Sequence, residues 1–159
     1  MHRTRNDLPA KTRNAIVTLL ARNLADAIAL RLVVKQAHWN VKGPGFMPLH
    51  ELFDAIASRV DGHADDLAER ITSLGGVAIG SADVAARSPL AKYPVTLSAG
   101  DAHVAALADR VAALAKATRT GIAAAARAGD EVTADLCTEI TGALDKDLWL
   151  LEAHLQSVR

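Results

Sequence analysis

Residues 49–70, LHELFDAIASRVDGHADDLAER, carry both the core pattern and the candidate chemistry of this chain. Read as a helix, the segment sets His50, Asp54, Asp65 and Glu69 on one stripe. Their steps of four, eleven and four residues all fall near whole turns. Asp54 and Asp65 are nonetheless about 16 Å apart along the axis at about 1.5 Å per residue. One metal centre cannot use both ends of the stripe. Positions 50 and 69, and positions 54 and 65, share one midpoint between residues 59 and 60. Two copies crossing antiparallel about a two-fold axis there would set His50 and Asp54 of one against Asp65 and Glu69 of the other. The same patch meeting itself would make two equivalent sites. Phe53, Ile56, Val60, Leu67 and Ile71 form a second stripe, more than roughly 100° from the acidic one on the helical wheel. One face can therefore fill a core while the other meets another subunit.

The bulk properties fit that picture. At 159 residues the chain is long enough for one domain with a substantial core. Half its residues are hydrophobic and only 3% aromatic, which favours packed helices over a sheet. Eighteen Lys and Arg balance eighteen Asp and Glu, so no overall charge advertises nucleic acid or membrane as a partner. The single cysteine, Cys137, excludes an intrachain disulfide and fits a reducing compartment. The opening MHRTRNDLPAKTR is polar and lacks a signal-peptide pattern, and no apolar run is long enough for a bilayer. A soluble helical protein of the cytoplasm is expected.

Residues 1–8 read as a flexible arm. Arg3, Arg5, Lys11 and Arg13 against Asp7 make the first fourteen residues net positive. Asp7 and Pro9 fit a helix start, as N-cap acceptor and first-turn proline. The first helix shows Ile16, Leu20, Leu24, Ile28 and Leu32 at four-residue steps and should end near Asn40, before the breaker KGPG at 42–45. Pro48 fits the first turn of the second helix, which should run to about Leu74 and stop at Gly75-Gly76. A long connection follows, with a short helix expected around residues 82–87. Ser98 and Asp101 have capping-box spacing at the start of a third, Ala-rich helix that Gly129 ends. Asp130 and Glu131 open the fourth, with Val132, Leu136, Ile140, Leu144, Leu148, Leu151 and Leu155 as its apolar stripe. Four long helices with one long connection predict an all-α, ferritin-like four-helix bundle over residues 9–159.

Bundles of that topology commonly hold di-iron sites on Glu-x-x-His pairs within one subunit. No histidine here has Glu three residues before it, so such an internal site is absent. His38, in AHWNVKG, and His50, in HELFD, instead flank the first interhelical loop, which could fold them together. Two imidazoles with carboxylates from the stripe suit iron, zinc or manganese, with iron favoured where open positions serve redox chemistry. The bland reading of an acidic stripe is a solvated helix face. His63 falls opposite the site stripe and reads as structural or surface. His2, His103 and His154 lack a metal-like context, and Cys137 reads as a packed small side chain.

KQAHWNVKGPGF, PLHELFD and DDLAERITSLGG closely resemble the signature of the Dps proteins, the miniferritins named as DNA-binding proteins from starved cells. The resemblance extends from TRND at residues 4–7 to LDKDLWLLE at 144–152. It implies a hollow homododecamer with ferroxidase centres between two-fold-related subunits. His38, His50 and Asp54 would come from one subunit, Asp65 and Glu69 from its partner. Glu69 and Asp54 would be the main carboxylate ligands, His50 a nitrogen ligand, His38 and Asp65 weaker or outer ones. Fe(II) would be oxidised by hydrogen peroxide more readily than by dioxygen, and the ferric product stored as mineral. Trp39 resembles the family's site-adjacent tryptophan, which traps stray oxidising equivalents; its bland reading is a core anchor. The resemblance also implies an acidic three-fold pore, for which Asp135 fits best, then Glu131 and Glu139. Helix-start acids favoured by the macrodipole are the plain alternative. DNA contacts would fall on Arg3, Arg5, Lys11 and Arg13, although the long lysine-rich extension of strong DNA binders is missing and the sequence closes on Gln-Ser-Val-Arg. The rival reading is a nucleoid-binding protein whose iron chemistry is secondary.

Overall fold

A computed structural model describes residues 1–156. Within them the chain forms α1 (Ala10–Asn40), α2 (Phe46–Ser73), the single-turn α3 (Ala82–Ala85), α4 (Gly100–Arg127) and α5 (Glu131–Glu152). The order is that of the expected bundle: α1 packs along α2, α4 along α5, and the two hairpins close through α1 against α4 and α2 against α5. No strand occurs among the described residues; a single bridge joins Lys42 to Ala99. None of these helices is long and apolar enough to cross a membrane.

The second stripe of α2 is the heart of the core. Phe53, Ile56, Val60, Leu67 and Ile71 are all fully buried. Two other stripes need correction. On α1, Leu32 is exposed and Ile28 only partly buried, while Ala27, Leu30, Val34 and Ala37 continue the core. On α5, Val132 is exposed and the inner column includes Thr133, Cys137, Thr141 and Asp147, while Leu155 lies beyond the helix, which ends at Glu152. The physical reason is common to both. A step of four residues advances about 40° beyond a full turn, so a strict four-residue ladder leaves the buried face within three or four steps.

Helix starts also differ from the expected caps. Asp7 caps nothing: α1 follows Pro9, and Asn6 Oδ1 accepts the Leu8 N–H instead. Ser98 and Asp101 form no capping box, since Ala99 precedes α4 without a side-chain cap. Asp130 behaves as expected and more. Its carboxylate accepts the Thr133 N–H at 3.0 Å and the Arg70 guanidinium at 2.7 Å, tying α5 to the last turn of α2. Residues 1–8 lie against the molecule, with the His2 N–H donating to Gly75 O at 2.6 Å. Gly75 has φ +84°, and a Cβ there would meet His2 O at 2.7 Å, so the close approach requires glycine.

Asp130 is almost wholly buried beside a partly buried Arg70, so truncation removes a cap and strands a cation. Asp130→Ala should destabilise the subunit by about 3 kcal/mol, read as a lowered urea midpoint. Glu131→Ala, one residue on and exposed, should leave the midpoint nearly unchanged.

Candidate metal centre

The α1–α2 turn assembles the first half of the candidate centre. Gly43 and Gly45 take φ +89° and +75°, which lets the chain reverse within five residues between Asn40 and Phe46. Lys42 N–H then bonds Ser98 O at 2.9 Å and does not return to α1. The His38 carbonyl, in the last turn of α1, accepts Nδ1–H of His50 at 2.8 Å. His38 Nδ1–H in turn donates to His50 O, also at 2.8 Å. The two imidazoles stack with centroids 3.8 Å apart and planes 21° from parallel. Committing each Nδ1–H to a carbonyl puts each lone pair on Nε2, the arrangement a metal-ligating histidine needs.

Asp54 lies one turn beyond His50, exposed, with Lys35 Nζ 2.7 Å from its Oδ1. That hydrogen bond, with the charge of Lys35, holds the Asp54 carboxyl below the usual carboxylate range. The ammonium stands where a metal cation would compete for the same oxygen. Phe46 packs on His50 at 5.1 Å, and Lys35 lies 5.7 Å from the centre of the Trp39 ring. Trp39 is 65% exposed, so in this subunit it is no core anchor.

Asp65 and Glu69 are exposed farther along the same stripe. Among the described residues no three His, Cys, Asp or Glu side chains of one chain converge on a point that could hold a metal. The fold joins His38 to His50 and sets Asp54 beside them, and leaves Asp65 and Glu69 at the far end of a straight helix. Ser58, Asp61 and Gly62 line the exposed face between the two halves, and Gly62 has open space where a Cβ would stand.

The remaining candidates are scattered. Glu131, Asp135 and Glu139 are exposed at the start of α5. Arg3, Arg5 and Lys11 are exposed, whereas Arg13 donates to Leu8 O at 3.1 Å and Leu74 O at 3.2 Å and so helps hold the arm. Residues 157–159 of the closing Gln-Ser-Val-Arg lie outside the described residues. His63 is half-buried with Nε2 unpartnered, and burial lowers its pKa. A cavity of 970 Å³ lies between α1, α3 and α4 beside Asn23, Asp26 and Gly121, remote in the chain from His38 and His50. Lys35 is the residue that sequence reasoning misses. Its spacing, one turn before His38, is the only signal that points to it.

Residues 17–159 match the family model described as Ferritin, ferritin-like domain. The chain is 43% identical over 156 residues to the DNA protection during starvation protein of Agrobacterium fabrum, covering 98% of this chain and 96% of that one. It is 32% identical to the protein of the same name from Brevibacillus brevis, over 89% of this chain and 95% of the relative. In three dimensions it is similar to Mycobacterium smegmatis Dps, with a TM-score of 0.94, 33% identity, and coverage of 99% and 96%. A Vibrio cholerae Dps, described as belonging to a superfamily of ferritin-like diiron-carboxylate proteins, shares the fold at a TM-score of 0.91 and 24% identity.

A divalent cation held by Asp54 would have to displace Lys35 from the same oxygen. Lys35→Met should tighten Co(II) or Zn(II) binding to the assembled protein several-fold in calorimetric titration. Unchanged or weaker binding would remove Lys35 from the centre.

Proposed function

The chain belongs to the Dps family of ferritin-like proteins, and on that premise we propose that it is a ferroxidase that oxidises Fe(II) with hydrogen peroxide and stores the ferric product inside a homododecamer. The observation that carries this reading is the His38–His50 pair. Reciprocal bonds from each Nδ1 to the other's carbonyl leave two Nε2 lone pairs beside the Asp54 carboxylate. The dyad-related spacing of Asp65 and Glu69 supports a shared centre. An antiparallel crossing of two α2 helices would bring the acids of one subunit to the histidines of the other.

Fe(II) enters this reading as substrate. Imidazole nitrogens and carboxylate oxygens together suit a ferrous ion that must become ferric, because the carboxylates favour the higher charge. Asp54 and Glu69 are the main anionic ligands of the proposal, with His50 as nitrogen ligand and His38 and Asp65 completing the set. Each of two Fe(II) gives one electron to a peroxide, which takes up two protons and leaves as water. Consuming both reactants together denies the cell hydroxyl radical. Trp39 stands next to His38 with its ring open, placed to give up an electron to stray oxidant. Glu131, Asp135 and Glu139 would line an acidic pore at a three-fold axis and concentrate cations there. Zinc or manganese could occupy the same ligands in vitro. A cytoplasmic location belongs to the same reading.

A nucleoid-binding role is the second reading, favoured by the exposed Arg3, Arg5 and Lys11 and by the names of the relatives. Twelve such arms on one particle would bind DNA by multivalency, with affinity falling steeply as salt rises. Gel shifts across a salt series read it directly; no retardation even at low salt would dismiss it.

The shared centre is tested by complementation. Neither His50→Ala/Asp54→Ala nor Asp65→Ala/Glu69→Ala should oxidise Fe(II) rapidly after anaerobic loading and peroxide addition, although both should assemble. Co-assembled from equal amounts, the two inactive chains should recover about a quarter of the sites, because one centre of each mixed dimer is intact. A centre built within one chain would recover nothing.

A further inference from the structure

The α3–α4 connection carries a second polar device that the proposed iron chemistry does not use. The Tyr93 hydroxyl lies 2.5 Å from Nδ1 of His103. His103 is 1% exposed and its Nε2 has no hydrogen-bond partner. Burial lowers the pKa of His103, so its imidazole is neutral at ordinary pH and Nδ1 accepts the phenolic proton's hydrogen bond while Nε2 carries the N–H. Burial also pushes the Tyr93 phenol up to about 12, so it stays protonated. Above its ring, 5.1 Å from the centroid, stands the Arg110 guanidinium. Arg110 is itself pinned by the carbonyls of Ala91, Lys92 and Ala106.

These groups favour one kind of oxidation. A fixed cation over the ring face opposes a radical cation, because it removes the attraction an electron-rich ring supplies. Loss of an electron from Tyr93 must therefore go with loss of its proton, and His103 Nδ1 is the base in contact. The pair also adjoins the iron ligands. Phe53 is three residues beyond His50 on α2, about 4.5 Å along the axis at about 1.5 Å per residue. Its ring meets His103 edge-on, with centroids 6.3 Å apart. His38 and His50, then Phe53 on the same helix, His103 and Tyr93 thus form an aromatic series between the candidate centre and the pair.

We propose that Tyr93 and His103 form a one-electron sink for the iron centre, Tyr93 giving an electron to oxidant formed there while its proton passes to His103 Nδ1. The inference rests on the ferroxidase reading, which supplies the oxidant: hydroxyl radical, produced when a centre holding a single Fe(II) reduces hydrogen peroxide by one electron in place of the paired two-electron reaction. That radical gains the Tyr93 electron and becomes hydroxide. Tyr93 becomes a neutral phenoxyl, and His103 an imidazolium. A further Fe(II) returns the electron, His103 returns the proton, and the phenol is restored with one more iron oxidised. The damage-prone half of a two-electron reaction is thereby held inside the protein.

Tyr93 is the only tyrosine in the chain, so a tyrosyl spectrum can belong to no other residue. Assembled protein is loaded anaerobically with Fe(II), mixed with hydrogen peroxide, and freeze-quenched for electron paramagnetic resonance, with iron absorbance followed in parallel. The unaltered protein should show a tyrosyl signal whose formation slows in D2O. Tyr93→Phe should lose the signal while iron oxidation continues. His103→Gln, which keeps an acceptor for the hydroxyl and removes the base, should lose most of the signal. Iron oxidation without a tyrosyl signal in the unaltered protein would overturn the sink alone. An undiminished signal with an unchanged isotope effect in His103→Gln would overturn the role of His103. Failure of iron oxidation itself, seen in the absorbance trace, would overturn the ferroxidase reading and the sink with it.

Discussion

A straight helix cannot bring its own residues 54 and 65 together, and the chemistry proposed for this protein follows from that constraint. Every turn of α2 adds axial distance that no side chain can span. The helix therefore offers part of a site at each end: His50 and Asp54 near its start, beside His38 of α1, and Asp65 and Glu69 farther on. Completing either half takes a second copy. In the proposed centre assembly and activity would become one requirement, because the surface joining subunits would also carry the ligands. The exposed Trp39, Phe46 and Met47 around the first half-site suit such a role, since aromatic and Met side chains are favoured where surfaces meet.

The rest of the subunit holds α2 straight and correctly turned. Its core stripe is sealed by the bundle, and the flank beside that stripe is bound to α5 by buried charge. Arg59 Nε meets Asp147, which is fully buried, at 2.9 Å, and Arg70 meets the cap residue Asp130 at 2.7 Å. Such pairs do not add much net stability over well-packed apolar residues, but a register error that broke one would strand a buried charge. Their value is in orientation. With two fixed points on α5 and a third at the His38–His50 contact with α1, α2 has little freedom to rotate its acidic stripe away from the surface.

Much of this arrangement is legible in the order of residues along the chain. The α2 core stripe is right at every position because its spacings of three, four and seven residues average one helical repeat. The four-residue ladders on α1 and α5 hold only in part, since a constant step of four drifts around the axis and leaves Leu32 and Val132 in solvent, and Leu155 falls past the end of α5. Capping patterns mislead at Asp7 and Ser98, where glycine and proline geometry and the Lys42–Ser98 contact decide how the chain enters each helix. Asp130 is recognisable as a helix start. Its second partner, Arg70, is not, because 60 residues separate the two.

Helical periodicity operates between neighbours in the chain, and so the sequence alone determined the four long helices, the buried face of α2, the acidic stripe and the paired spacing within it. Contacts between distant segments were settled by the tertiary structure. It turned the His38 and His50 rings onto each other's carbonyls, set Lys35 against Asp54, folded residues 1–8 onto Gly75, and joined Tyr93 to His103. Each depends on where a turn or loop delivers a side chain in space, and loop paths follow from glycine conformations and packing that no local repeat encodes.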